Sequence, residues 1–186
     1  MLSRFKRHPH LIQYLCYLCS EIAFGTNGTA YGPLIPYLSA KTGLSETYYS
    51  FLFSCRSFGY LLGAILFKLL QKRSQFTLHQ YIVVSSVSIL FFNILFSSTL
   101  DPFYQGVWVF LVSMFFCSRS VAVNTSVYLV NPNDDMEFFL LLTHGCYGIG
   151  GLLGPLFVYL FKLNSVVVSG ILVTLIGLSF MRLDSP

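Results

Sequence analysis

Phe51-Leu-Phe-Ser-Cys55-Arg56-Ser-Phe-Gly59-Tyr60-Leu-Leu-Gly63-Ala-Ile-Leu-Phe-Lys68-Leu-Leu70 decides the fold. The run is apolar throughout and does not alternate, which suits a membrane-spanning helix and not a barrel strand. With its lead-in from residue 48 it is long enough to cross about 30 Å of hydrocarbon, which takes about 20 residues. It contains one charge in its interior, Arg56, a second near its end, Lys68, and one face of small residues, Gly59-x-x-x-Gly63. Such a face lets a second helix backbone come close.

Working outward, five more stretches of this kind appear. The six predicted spans cover approximately residues 11–38, 48–70, 78–100, 104–130, 137–161 and 165–181. A basic segment, 1–10, precedes them and a short tail, 182–186, follows. The connectors are short: Lys41-Thr42-Gly43, Gln71-Lys72-Arg73-Ser74, Asp101-Pro102, Asn131-Pro132-Asn133-Asp134-Asp135 and Lys162-Leu163-Asn164. They leave no room for a soluble domain. The expectation is an all-α membrane protein of six transmembrane helices. Composition agrees. Of 186 residues, 55% are hydrophobic and 10% charged, with mean hydropathy +0.70. Soluble domains carry about 25% charge, so a soluble enzyme, a disordered chain and a disulfide scaffold are excluded. The net charge of +4 comes from only 11 Lys and Arg, with no basic run beyond the N-terminus, which excludes a nucleic-acid binder.

Basic residues set orientation. Arg4, Lys6, Arg7, Lys68, Lys72, Arg73 and Arg182 fall on one side of alternating spans, against Lys41 and Lys162 on the other. Both termini are therefore expected in the cytoplasm, or in the matrix of a mitochondrion. Tyr31, Tyr37, Tyr48, Tyr49, Tyr104 and Trp108 cluster at the predicted outer boundary as an aromatic belt. The start is basic and acid-free, but the first span is too long for a signal-peptide core, so 1–10 reads as a positive-inside anchor.

Away from the span ends, four charged or histidine residues lie within spans: Glu21, Arg56, Arg119 and His144. His79 stands at the inner start of the third span, where water is expected to reach it. A charge near mid-bilayer costs about 2.5–3.5 kcal/mol on insertion scales, so such groups turn inward and pair. The simplest arrangement puts spans 1, 2, 4 and 5 around a polar axis, with 3 and 6 outside against lipid. At 1.5 Å per residue, Glu21 lies about 15 Å from the inner end of its span and Arg119 about 16 Å from the inner end of its own. They are expected to meet near the midplane. Midplane carboxylates relay protons or bind cations in transporters. Glu21, Asn27, Arg119, Asn124 and His144 are therefore the candidate residues for a solute or coupling ion. The competing reading is a set of interhelical locks.

Gly150-Gly151-Leu152-Leu153-Gly154 repeats the Gly59–Gly63 pattern three spans later and in the opposite direction. That is what an inverted 3+3 repeat predicts. Gly25, Gly28, Pro33 and Pro36 invite a bend in the first span. The five cysteines lie within spans and read as inert buried thiols; Cys16-x-x-Cys19 has no acid or His beside it. Asn27-Gly-Thr29 and Asn124-Thr-Ser126 match the glycosylation pattern but sit inside spans, out of reach of the modifying enzyme. No connector carries a nucleophile–base set, a phosphate loop, clustered metal ligands or a cofactor motif, so the chain does not read as an enzyme.

Three stretches resemble the N-terminal six-helix half of major facilitator superfamily transporters, in the branch of the fucose permease and the sodium-dependent glucose transporter-like proteins. Gly32-Pro33-Leu34-Ile35-Pro36-Tyr37-Leu38 is similar to the end of that family's first helix. Phe51 through Gly63, with Arg56 before Gly-Tyr-Leu-Leu-Gly, is similar to its second. His144-Gly-Cys-Tyr147-Gly148-Ile-Gly150 with Gly154-Pro155 is similar to its fifth. The resemblance implies solute transport by alternating access, often of a sugar coupled to H+ or Na+. It also assigns helix packing and gating to Arg56, Gly59, Gly63, Lys68, Gly150, Gly154 and Pro155. Two departures stand out. The loop after the second helix has Phe67 where the family's latch has aspartate, and Leu70 where it has a second glycine. Six spans are also half of the family's twelve, so one wall of the cavity needs a cover: a second six-helix copy, another membrane subunit, or lipid. The expected function is a half-sized transporter of a small solute. The alternative is a transport-inactive structural subunit of a larger membrane complex.

Overall fold

A computed structural model describes residues 11–73, 76–130 and 136–183. The basic segment 1–10, residues 74–75, the whole fourth connector 131–135 and the last three residues lie outside this set. Among the described residues every regular element is helical. Six long helices follow one another: α1 (Leu11–Thr42), α2 (Phe51–Arg73), α3 (Leu78–Ser98), α4 (Pro102–Val130), α5 (Met136–Phe161) and α6 (Ser165–Ser179). A one-turn helix, Glu46–Tyr49, precedes α2, and 3₁₀ turns, Lys162–Asn164 and Phe180–Arg182, flank α6.

Four stretches are long and apolar enough to cross a membrane: Glu46–Arg73, Leu78–Ser98, Pro102–Val130 and Met136–Arg182. They mark the chain as membrane-embedded. The last holds both α5 and α6. The helix expected as the first span, α1, is not among them, because Gln13, Ser20, Glu21, Thr26, Asn27 and Thr29 dilute its apolar content.

Local chemistry explains the helix ends. Gly43 takes a left-handed φ of 76° and its N–H donates to the Ser39 carbonyl at 2.9 Å, closing α1. Thr77 and Gln80 form a reciprocal capping box at the start of α3. Asp101 accepts the Phe103 N–H at 2.9 Å, with Pro102 in the first position of α4, where its missing N–H costs nothing. The bend expected at Pro33 and Pro36 does not break α1, which runs through both as one helix.

Packing follows a simple order. α1 lies along α5 and, less extensively, α6; α4 lies along α2 and α3; α3 packs on α6 and joins the two groups. The glycine faces make the closest approaches. A Cβ on Gly59 or Gly63 would overlap the Phe110 or Met114 carbonyl of α4, and one on Gly150 the Ile22 carbonyl of α1. A Cβ on Gly154 would overlap the Thr29 hydroxyl. The core is apolar in two clusters. One centres on Phe24, Leu34, Ile89, Val112 and Phe116. The other centres on Tyr14, Tyr17, Ile82, Val123 and Phe139. The least buried helix is α2, with Leu52, Gly59, Gly63 and Phe67 its only buried residues.

Several expectations change. α3 and α6 are not outer cladding, because each sends buried polar side chains into the interior: Ser86 and Asn93 from α3, Ser169 and Thr174 from α6. Tyr31 and Tyr49 are buried and do not belong to a surface belt, whereas Tyr48 and Tyr104 are exposed. His79 is buried, because the Phe180–Arg182 turn folds back over it. Of the cysteines, Cys117 and Cys146 are buried, but Cys19 is exposed.

Candidate functional site

The centre of the bundle is an ion pair. Glu21 from α1 and Arg119 from α4 meet with Arg119 Nη1 3.1 Å from Glu21 Oε1, as their depths predicted. Arg119 is 0% exposed and Glu21 4%. The guanidinium is held on every side. Nη2 donates to the Ser20 hydroxyl and to the Ser20 carbonyl at 3.3 Å, and Nε donates to Ser86 Oγ at 3.3 Å. The Phe24 ring covers it, with its centroid 4.2 Å away. Ser20 and Ser86 were not singled out from sequence; a serine in an apolar helix gives no signal until its neighbour is known.

Phe24 leads to a second cation. Its other face stacks on Phe116, centroid to centroid 3.6 Å. Arg56 from α2 lies over Phe116 at 5.4 Å and over Tyr31 at 5.3 Å. Arg56 Nη1 donates to the Gly28 carbonyl of α1. Gly28 makes room for this convergence. A Cβ there would sit 2.7 Å from Phe116, 3.0 Å from the Tyr147 hydroxyl and 3.3 Å from Arg56 Nη2. Thus α1, α2, α4 and α5 meet at Gly28.

The amides behave differently. Asn27 is fully buried, and its Nδ2 donates to the Val166 carbonyl at 3.0 Å and to Ser169 Oγ at 2.8 Å. It ties α1 to α6 and does not line an opening. Asn93 accepts the Tyr31 hydroxyl, tying α3 to α1. Asn124 is half-buried on α4, and His144 is exposed on α5. Neither is brought to the ion pair by a hydrogen bond among the described residues. Lys68 and Pro155 are exposed, on α2 and α5. Pro155 removes the helical donor of the Gly151 carbonyl, and the Thr29 hydroxyl of α1 lies 3.0 Å from that oxygen.

A second polar cluster lies toward the start of α3. The Gln13 amide donates to the Tyr17 hydroxyl at 2.9 Å, and Tyr17 lies 2.8 Å from His79 Nε2. His79 Nδ1 faces the Leu183 carbonyl at 3.2 Å. A carbonyl only accepts, so Nδ1 carries hydrogen and, in the neutral ring, Nε2 accepts from Tyr17. Sequence placed His79 in water because nothing local announces that the chain returns over it.

No protein-family description and no curated protein sequence matches the chain.

Proposed function

We propose that the chain forms six membrane spans in a 3+3 inverted arrangement, half of a major-facilitator-type transporter, with both termini on the cytoplasmic or matrix side. It moves a small solute by alternating access with H+ or Na+ coupling, and a second six-helix unit, a copy or another membrane subunit, covers its open face. One observation carries this reading. Exchanging α1, α2 and α3 for α4, α5 and α6 leaves the five most extensive helix pairs unchanged, although the smaller α5–α6 and α4–α5 contacts have no counterpart of like extent. The α1–α5 pair becomes α4–α2, α1–α6 becomes α4–α3, and α3–α6 becomes itself. The two glycine faces exchange as well, each against a helix backbone of the opposite triplet. An inverted repeat has that property. Glu21, the one carboxylate deep in a helix interior, binds or relays the coupling cation, with Arg119 as its counter-ion.

The test is uptake into proteoliposomes under an imposed H+ or Na+ gradient. Glu21→Gln keeps an acceptor oxygen for Arg119 and abolishes gradient-driven uptake. Full uptake by this variant overturns the role of Glu21.

The sealed ion pair favours a second reading. Glu21 and Arg119 are almost wholly buried, the amide donors of Asn27 are spent on α6, and Phe67 stands where the family's latch carries aspartate. These features suit a transport-inactive subunit built into a larger membrane assembly. Native electrophoresis after mild-detergent extraction separates the two readings: migration as a small dimer supports transport, and migration only within a large hetero-assembly supports the structural role.

A further inference from the structure

We propose that Arg56 and Tyr147 form a binding site for the carboxylate of a small organic acid, so that the solute is an anion and not a neutral sugar. The proposal rests on the transporter reading above and names its substrate class.

Charge balance comes first. The helix interiors hold two guanidiniums and one carboxylate. Glu21 is committed to Arg119, so Arg56 has no carboxylate partner among the described residues. It lies five residues past the start of α2, about 8 Å along the axis, inside a stretch apolar enough to span a membrane, and is half-buried. An unpaired charge at that depth is costly and marks a functional position.

Unspent donors come second. A guanidinium offers five N–H donors in a planar fork that matches a carboxylate. Among the described residues Arg56 has one hydrogen-bond acceptor, the Gly28 carbonyl. The rings of Tyr31 and Phe116 offset part of its charge without accepting its hydrogens. The Tyr147 hydroxyl has no hydrogen-bond partner in the described set. It and Arg56 Nη2 lie 3.0 and 3.3 Å from one point beside Gly28. The two donors are therefore close enough for one carboxylate to bridge, one oxygen on each.

Shape comes third. Arg56 and Tyr147 are half-buried and flanked by exposed Ser57, Tyr60 and Gly148, so a solute reaches them from the open side of α2 and α5. Of the rings beside the donors, Phe24, Tyr31 and Phe116 are buried in the core and back the site from inside, while exposed Tyr60 offers the ring surface open to an apolar or aromatic body behind the charged end. A Cβ at Gly28 would press first on Phe116 and next on the Tyr147 hydroxyl, so glycine there lets the ring and both donors close on α1.

The probe is benzoate against its neutral isostere benzamide, measured by isothermal titration with the purified full chain in a zwitterionic detergent. Benzoate binds and benzamide does not. Loss of a charge-assisted pair lowers affinity about tenfold or more in Arg56→Gln, and Tyr147→Phe lowers it about threefold to tenfold. Arg56→Lys keeps the charge but not the fork and falls between. Far-ultraviolet circular dichroism of each variant establishes that it is folded; should Arg56→Gln not fold, Tyr147→Phe and Arg56→Lys carry the test. Three results overturn the proposal: equal binding of benzamide, unchanged benzoate affinity in folded Arg56 and Tyr147 variants, or Arg56-dependent retention of phosphatidylglycerol with no benzoate binding, which makes the site a lipid-headgroup contact. Arg56-dependent benzoate binding with no benzoate uptake into proteoliposomes refutes transport and leaves the site standing.

Discussion

Removing one member of the central ion pair is expected to cost far more than removing both. In Glu21→Leu the Arg119 guanidinium stays wholly buried with three hydrogen bonds to Ser20 and Ser86 but no counter-charge. Stranding a buried charge in this way costs about 3–5 kcal/mol. Insertion scales for one charge at mid-bilayer, about 2.5–3.5 kcal/mol, give the same order. Arg119→Met strands the carboxylate and leaves a similar deficit. In the double variant both charges are gone and the side chains match roughly in volume, so the cost falls below that of either single change. The assay is unfolding in mixed micelles with increasing sodium dodecyl sulfate, followed by far-ultraviolet circular dichroism and by the fluorescence of Trp108. The coupling between the two sites is then at least about 3 kcal/mol, of stabilising sign for the intact pair. Single-variant costs that are each below about 1 kcal/mol and simply add in the double variant would refute the claim that burial, and not mere proximity, governs this pair.

The glycine faces give a sharper contrast within one helix. Gly150→Ala forces a Cβ into the Ile22 carbonyl and is expected to cost about 1–3 kcal/mol by overpacking. Gly148→Ala, with nothing within 4 Å of the added carbon, is neutral or stabilises by up to about 1 kcal/mol. The same micelle titration ranks them, and Gly59→Ala in α2 follows Gly150→Ala. Asn27→Ala removes the donors to Val166 and Ser169 and costs about 0.6–1.7 kcal/mol, the range for interhelical hydrogen bonds in membranes. A larger loss of solute uptake than of stability in that variant points to a role in the solute path. Thr29→Val leaves the Gly151 carbonyl, already deprived by Pro155, without its hydroxyl partner; it costs about 1–3 kcal/mol and shows as earlier unfolding of α5 in hydrogen exchange.

The parts legible in the sequence were those set by depth and by spacing. Glu21 and Arg119 are isolated charges in apolar runs, so counting residues from the span ends placed them at one level. Gly59/Gly63 and Gly150/Gly154 announce close helix contacts because four-residue spacing keeps both on one face. The illegible parts depend on which neighbour each neutral polar group meets. Ser86 and Ser169 look like ordinary serines in sequence, yet they draw α3 and α6 into the polar interior. Tyr31 has the composition of a belt residue, but its hydroxyl finds Asn93 and the ring is buried. The burial of His79 depends on Leu183, more than a hundred residues away. The two prolines of α1 mark a local weakness that the surrounding helices override.

The larger contacts run in a chain from α2 through α4, α3, α6 and α1 to α5, with α5 also touching α6 and α4. α2 is fastened chiefly to α4 and α5 chiefly to α1, each through a pair of glycines. Disassembly should therefore begin at the margins and move inward, peeling α2 first, since it conceals the fewest side chains, and reaching the Glu21–Arg119 bond last. A rod held by one neighbour also tilts more readily than a rod held by two. The same looseness that makes α2 the first to detach lets it swing while the middle of the molecule keeps its shape.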